Sequence, residues 1–389
     1  MHRGRSLFAQ LLEFAPHRVF QQCVARYHTG RAPRRLSYWD QFLVLVFAQL
    51  TYRESLRDIE AALGALPERL YHLGLRGGPV SRSTLADANE RRDWRIFAAF
   101  AHGLIGEARA LYAEEALGAD LAHTVYALDA TNIDLCLTLY PWAHRQQGKS
   151  GVKLHTLLDL RGSIPTVVWI TPGMVHDMRA LDEIVPEPGA IYVLDRGYMD
   201  FRRLYALHTA HAVFIVRAKQ PLRARRRYSH PVDQATGVLS DHTMVLTRPQ
   251  SAARYPAPLR RVRVTREGRP PLSLLTNDFA LPATAIAALY RDRWRVELFF
   301  RWIKQHLRIK RFYGTSANAV AVQVWTALCT YLLVAIARKR LGLTRDLYTM
   351  LQVLSVSPFE KVPLAQALTL AREPLPDPDA ANQLSFFNF

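Results

Sequence analysis

Near residue 123 the hydrophobic period of this chain changes, and that change limits the possible folds more than any other feature. Before it, apolar residues recur at helical spacing. Trp39, Phe42, Leu43, Val46 and Phe47 share one face of a segment, Tyr38 into Gln49, that Ser37 can cap. After it come period-two and continuous apolar runs. Thr124 to Ala130 reads as a strand, and Gly151 to Leu160 and Ser163 to Thr171 read as two more about an Arg161-Gly162 turn. A short helix at Asp177 to Ile184, a buried strand at Ala190 to Leu194, a helix at Phe201 to Thr209 and a strand at His211 to Val216 follow. Three strands, helix, strand, helix, strand is the order of an α/β layer whose first hairpin is antiparallel. Residues 217 to about 280 carry Pro and Arg with alternating VRVT and LSLLT runs, and read as a β-rich insertion.

The region before the change, residues 1–118, reads as an all-helical domain. A second helix runs from Arg53 to Leu63, and Gly74, Gly77, Gly78 and Pro79 form a loop. Ser81 or Ser83 caps a third helix, Thr84 to Phe100. Arg82, Ser83, Thr84, Asn89 and Arg92 give it short polar groups and guanidiniums, which suit phosphates and base edges. Helix, turn, capped basic helix is compatible with a helix-turn-helix reader of DNA ends; an ordinary charged helix fits the same residues.

Lys and Arg exceed Asp and Glu by 51 to 33, giving a net charge of +18 and a pI near 10.2. Such a surface attracts polyanions, either nucleic acid or an anionic membrane. Ala319 to Ala337 is long enough to span a bilayer, but Gln323, Thr326 and Thr330 form a polar stripe along it, so a buried core helix is the better reading. The N-terminal apolar run is short and holds Gln10 and Glu13, unlike a secretory signal. Cys23, Cys136 and Cys329 lie far apart in apolar neighbourhoods and read as buried free thiols of a reducing compartment. Prolines punctuate the chain after Ser355, where a short helix and a partly extended tail are expected over 346–389.

Two aspartates stand out. Asp129 lies within the first apolar strand and Asp195 ends the later one, VLDRGY. A carboxylate at such a position is costly unless paired, hydrogen-bonded or metal-bound. Asp129 capping the Thr131 turn and Asp195 shaping the turn before Gly197 are the alternatives. Parallel neighbouring strands would bring the two ends together. The stretch Tyr290 to Lys304, YRDRWRVELFFRWIK, reads as one amphipathic helix whose apolar face includes Leu298, Phe299, Phe300, Trp302 and Ile303. At ~100° per residue, Arg293, Glu297 and Lys304 fall within about 60° of Tyr290. That stripe is either a solvated face with an Arg293–Glu297 pair or a surface holding metal and phosphate together. Three carboxylates, Asp129, Asp195 and Glu297, are an oxygen donor set suited to Mg²⁺ or Mn²⁺ and to two-ion phosphoryl transfer.

These residues carry a resemblance. LDATNIDL around Asp129, VLDRGY around Asp195, and the spacing Tyr-x2-Arg-x3-Glu-x6-Lys at Tyr290, Arg293, Glu297 and Lys304 resemble a DDE transposase of the insertion-sequence-four family. The stretches WDQFLVLVFAQLTYRESLRDIEAAL and VSRSTLADANERRDW resemble the N-terminal domain of one bacterial branch. The resemblance implies a ribonuclease-H-like catalytic core over 119–345, interrupted by the insertion. It implies Asp129, Asp195 and Glu297 as catalytic ligands of two Mg²⁺ ions, with Mn²⁺ able to substitute. Tyr290, Arg293 and Lys304 would grip phosphates. The protein would cut at terminal inverted repeats and join the freed 3′-hydroxyls to target DNA, as a homodimer on double-stranded DNA in the bacterial cytoplasm, at the nucleoid and not at a membrane. A metal-dependent nuclease of the same fold and an inert DNA-binding protein are the rival readings. Arg223, Arg225, Arg226 and Arg227 in the insertion suit the DNA backbone. Family members that excise through a DNA hairpin hold a flipped base on an aromatic of the insertion. This insertion has no Trp, and its aromatics include Tyr228, Tyr255 and Phe279.

Overall fold

The structure, a computed structural model, describes residues 4–369 apart from 31, 32, 34, 66, 76–79, 116, 118–122, 137, 146–148 and 307–311. Six helices come first: α1 (Leu7–Leu11), α2 (His17–Tyr27), α3 (Tyr38–Leu50), α4 (Leu56–Gly64), α5 (Arg82–Arg91) and α6 (Arg95–Tyr112). Ser37 and Asp40 close a capping box at the start of α3, and Ser55 and Ser81 cap α4 and α5. The helix expected over Thr84 to Phe100 is two helices. Asn318 explains the break: its amide donates to the carbonyls of Asn89 and Arg92 at 2.8 and 2.7 Å, and its oxygen accepts from the Trp94 amide at 3.3 Å. One side chain thus satisfies groups that end α5 and begin α6.

The strands are β1 (Val125–Leu135), β2 (His144–Arg145), β3 (Lys149–Asp159), β4 (Ile164–Pro172), β5 (Ile191–Leu194), β6 (Val213–Arg217), β7 (Ala224–His230), β8 (Val238–Leu246), β9 (Leu259–Arg266) and β10 (Arg269–Thr276). Between and after them lie α7 (Phe201–Thr209), α8 (Pro249–Arg254), α9 (Ala283–Asp292), α10 (Trp294–His306), α11 (Ala317–Arg340), α12 (Leu347–Val356) and α13 (Leu364–Thr369). The turn between β3 and β4 contains Gly162 at φ +66°, where an added Cβ would lie 2.1 Å from the Tyr112 ring.

Among the described residues these ten strands form one sheet. β1, β3 and β4 are antiparallel neighbours, while β1, β5 and β6 run parallel. This is the ribonuclease-H-like order: an antiparallel three-strand unit whose first strand pairs in parallel with β5, and β5 in turn with β6. The insertion is not a separate appendage. β10 pairs antiparallel with β6, and β9, β8 and β7 follow outward, so the insertion prolongs the catalytic sheet. Register aligns Leu128 with Leu194 and Leu194 with Val216, which places Asp129 and Asp195 side by side at the ends of neighbouring parallel strands.

α11 is the spine of the helical layer. Every residue from Ala319 to Ala337 is buried, and the helix packs against α3, α6, α10 and α12. By length and hydropathy it could cross a membrane, yet the protein itself buries it entirely. Gln323 accepts from the Tyr313 amide and Thr330 donates to the Thr326 carbonyl, which explains two of its polar residues. One hydrophobic core runs from the N-terminal helices through α11 and α10 to one sheet face. Packing therefore continues across the boundary expected at residue 118. A second core, with residues of α7 and α8, covers the other face. All three cysteines are free, but Cys136 is exposed just beyond β1, against the expectation that each is buried. The tail expected after residue 369 lies outside the described residues.

Candidate active site

Asp129 is half-buried: its side chain retains 22% of its exposure. It leaves β1 toward α10, on the face that carries the larger core. Asp195 follows β5 directly and begins a single turn of 3-10 helix, Arg196–Tyr198. Neighbouring strands lie about 4.8 Å apart, so strand pairing alone brings these carboxylates close.

The third contribution comes from a helix that differs from the expected one. Tyr290 to Lys304 is not continuous: α9 ends at Asp292 and α10 begins at Trp294, with Arg293 between them still in the αR region. The interruption places Glu297 in the first turn of α10, where the positive end of the helix dipole favours a carboxylate. Val296, Phe299, Phe300, Trp302 and Ile303 anchor α10 in the core, whereas Leu298, expected on the apolar face, is 45% exposed.

Arg293 joins the parts. One Nη donates to Asp129 Oδ2 at 3.1 Å and the other to Glu297 Oε1 at 2.9 Å. Burial alone would lower the Arg293 pKa, but the bond to Glu297 and the charges of Tyr290, Asp129 and Asp195 raise it. Tyr290 Oη donates to Asp195 Oδ1 at 3.3 Å. Burial, with the Asp195 charge beside it, pushes the Tyr290 phenol up to about 12. Of the stripe read from the sequence, Tyr290 touches Asp195, and Arg293 touches Asp129 and Glu297. Lys304 stands at the same place. With Asp129, Ala130, Thr131, Glu297, Phe300 and Arg301 it lines a cleft of about 460 Å³ that opens on the carboxylates.

The Asp129 carboxyl is raised to about 6. Burial is the main cause, and the Glu297 and Asp195 charges add to it. The Ala130 amide, donating at 2.8 Å, and the Arg293 guanidinium oppose the rise without cancelling it. The site sets carboxylates beside the Arg293 guanidinium. Its donors are oxygens only, which is the chemistry Mg²⁺ and Mn²⁺ prefer. Among the described residues no three His, Cys, Asp or Glu side chains stand close enough to hold a metal as they are. Arg293 occupies the position between two of the carboxylates, so its guanidinium stands in for cationic charge there. The donor set fits a divalent ion, provided Arg293 turns aside.

Sequence reasoning missed Tyr198. It is 2% exposed, its hydroxyl has no partner, and burial followed by the charges of Asp129, Asp177 and Asp195 raises its pKa. Its signal was present in the RGY that follows Asp195. Other carboxylates and expected DNA contacts lie elsewhere. Asp177 pairs with Lys153 at 2.7 Å rather than joining the carboxylates, and Asp159 sits with Arg109 toward the opposite end of β3. Arg225, Arg226 and Arg227 lie on β7, the outer strand of the insertion, five strands from β5 along the sheet order. The N-terminal candidates divide. Arg82 and Ser83 are exposed and Thr84 half-buried at the start of α5. Asn89 is 2% exposed and accepts from Gln41 at 2.8 Å. Arg92 reaches the carbonyls of Leu36 and Ser37 and the Gln41 side chain, and lies over the Tyr38 ring. Asn89 and Arg92 fasten α5 to α3, which corrects their expected place on a DNA-reading face.

Comparison with known proteins identifies the family. The family described as Transposase DDE domain matches residues 120–333, and one described as a domain of unknown function (DUF4372) matches residues 3–76. A Sinorhizobium fredii protein described as a transposase is 36% identical over 259 residues, which is 66% of this chain and 71% of that one. A Geobacillus stearothermophilus protein, described as the transposase for insertion sequence element IS5377, is 32% identical over 212 residues, 53% of this chain and 54% of its own. A Synechocystis protein, described as the transposase for insertion sequence element IS4SA, is 26% identical over 267 residues, 67% of this chain and 73% of its own. A solved piggyBac transposase synaptic complex with hairpin DNA is more distant, at 11% identity and a TM-score of 0.47 over 95% of this chain and 81% of that one. The chain belongs to the DDE transposase family, metal-dependent DNA endonucleases and strand transferases of insertion sequences.

Proposed function

We propose that this transposase moves its element by cut-and-paste transposition: it binds terminal inverted repeats, cleaves at the element ends and joins the 3′-hydroxyls to target DNA. The observation that carries this reading is the joining of Asp129 and Glu297 by Arg293, with Asp195 on the neighbouring strand held by Tyr290, at a cleft that also holds Arg301 and Lys304. Carboxylates beside cations suit an enzyme that must hold metal and phosphate at one point.

In this reading the three carboxylates hold two Mg²⁺ ions, with Mn²⁺ able to replace them. When bound, such ions activate the attacking oxygen and neutralise the leaving one. The protein's residues do the remainder. Asp129 gives up its proton to become a ligand. Tyr290 orients Asp195 through its hydroxyl. Arg293 exchanges its two carboxylates for a phosphate oxygen, for which its planar fork is suited. Lys304 and Arg301 hold the neighbouring phosphates across the cleft. The N-terminal helices, with Arg82, Ser83 and Thr84 outward, contribute to recognition of the element ends. The working form is a homodimer on double-stranded DNA, in the bacterial cytoplasm.

A strand-transfer assay tests the proposal. Purified protein, Mg²⁺ and pre-cut element ends are incubated with a supercoiled target plasmid. Covalent joining of labelled ends to the plasmid is the expected result. Cleavage of uncut ends without any joining would leave a nuclease and refute transposition.

A further inference from the structure

Alternation along β1 and β3 decides which side chains share a face with the catalytic carboxylates. Val125, Ala127 and Ile133 of β1 belong to the larger core, so Asp129, two residues after Ala127, points to that face. Register sets Thr156 of β3 directly opposite Asp129, and Val168 of β4 opposite Thr156. Leu154 and Leu158, two residues to either side along β3, belong to the same core, as does Val168. Thr156 therefore stands beside Asp129 on the catalytic face, with an apolar residue on each of its other three sides in the sheet. Directly opposed side chains of an antiparallel pair have Cβ atoms about 5 Å apart.

Thr156 is fully buried, and its Oγ1 has no hydrogen-bond partner. An unbonded hydroxyl inside a core is costly, and valine has the same shape without that cost. A hydroxyl at such a place calls for an acceptor that becomes free at some stage of the reaction. Asp129 is that acceptor. Its Oδ1 takes the Ala130 amide at 2.8 Å, and its Oδ2 takes an Arg293 Nη at 3.1 Å. A carboxylate has about four acceptor positions, so two of them are open to a donor or a metal. Arg293 stands between Asp129 and Glu297, where a divalent ion held by both would have to sit. Once Arg293 turns to a phosphate, the Ala130 amide is the one bond left of these two, and one bond does not fix the rotation of a carboxylate.

We infer that Thr156 is a positioning residue of the catalytic centre: its hydroxyl donates to Asp129 when Arg293 leaves, and holds that carboxylate in the orientation that binds the divalent ion. Rotation about the Thr156 Cα–Cβ bond exchanges its hydroxyl and methyl groups among staggered positions, so the donor is presented without moving the backbone. Nothing in the run GVKLHTLLDL marks this threonine, since its relation to Asp129 arises from pairing across the sheet. The inference rests on the reading that Asp129, Asp195 and Glu297 hold metal.

Mn²⁺ binding to the full chain, without DNA, is titrated by electron paramagnetic resonance of the free ion. Thr156→Val keeps the shape and removes the hydroxyl, and is expected to weaken Mn²⁺ binding at least about tenfold, the worth of one hydrogen bond to a charged group. Thr156→Ser keeps the hydroxyl and is expected to stay within about threefold of the unaltered protein. Metal-free stability, from chemical denaturation, is expected to rank the two the other way. Valine removes an unbonded polar group, whereas serine deletes a packed methyl. A merely structural role would make metal binding follow stability. Equal Mn²⁺ binding by Thr156→Val and the unaltered protein, or weaker binding by Thr156→Ser than by Thr156→Val, would overturn the inference. If Thr156→Val does not fold, Thr156→Ala against Thr156→Ser isolates the hydroxyl, and equal binding by those two would overturn it as well. Asp129→Asn separates the two readings. Binding that this variant leaves unchanged refutes the metal centre, and the inference falls with it. Binding lost in Asp129→Asn but intact in Thr156→Val keeps the metal centre and refutes the role of Thr156.

Discussion

Alanine at Asp129, Asp195 or Glu297 is expected to reduce metal-dependent cleavage of element ends by about three orders of magnitude or more, a loss of ~4 kcal/mol in transition-state stabilisation. The reason lies in how few groups define the site. Asp129 and Asp195 are fixed by neighbouring strands, and Glu297 by the first turn of α10. Asp159 and Asp177 are already paired with Arg109 and Lys153. Because the three act as one unit, double substitutions are expected to cost little more than single ones. DNA binding should survive, since the backbone is held by cations and not by these acids. End cleavage and DNA binding measured on each variant decide the matter; cleavage at the unaltered rate by any one of them removes that residue from the centre.

Asp129→Asn is expected to separate function from stability. The Asp129 pKa is raised in the folded protein, from 3.8 to about 6. A group raised on folding gives its stabilising contribution fully below the unfolded value and loses it as pH rises through the folded one. Metal-free protein should therefore lose stability relative to Asp129→Asn between about pH 4 and pH 7, by on the order of 2–3 kcal/mol. Asparagine keeps the shape, removes the buried charge and leaves Arg293 its bond to Glu297. At pH 7 the inactive variant should be the more stable of the two by about 1–2 kcal/mol. Chemical denaturation of both proteins across that range is the measurement. A stability difference that does not change with pH would mean that Asp129 titrates like an exposed carboxylate, contrary to its burial.

The ribonuclease-H-like layer was legible because strands of that core announce themselves as short apolar runs broken by Gly and Pro. Phe201–Thr209 was recovered to the residue, and α11 was recognised as a core helix by its polar stripe. Asp129 and Asp195 were legible for an energetic reason: a carboxylate ending a buried strand demands a partner. What escaped was long-range. Nothing local in Thr84 to Phe100 says that Asn318, more than two hundred residues away, will split the helix. Asn89 and Arg92 looked like DNA readers because polarity was visible and burial was not. The break at Arg293 was hidden for the same reason, since each residue from Tyr290 to Lys304 accepts helical backbone.

The claim on which the rest depends is that these three carboxylates form a divalent-metal centre. Fe²⁺ bound in place of Mg²⁺ cuts the polypeptide near its ligands when peroxide and ascorbate generate hydroxyl radicals, and the fragments can be sequenced by mass spectrometry. The account predicts cuts clustered near residues 129, 195 and 297, suppressed by excess Mg²⁺ and lost in Asp129→Asn. Cuts confined to other parts of the chain, or cuts at these positions that Mg²⁺ does not suppress, would contradict it.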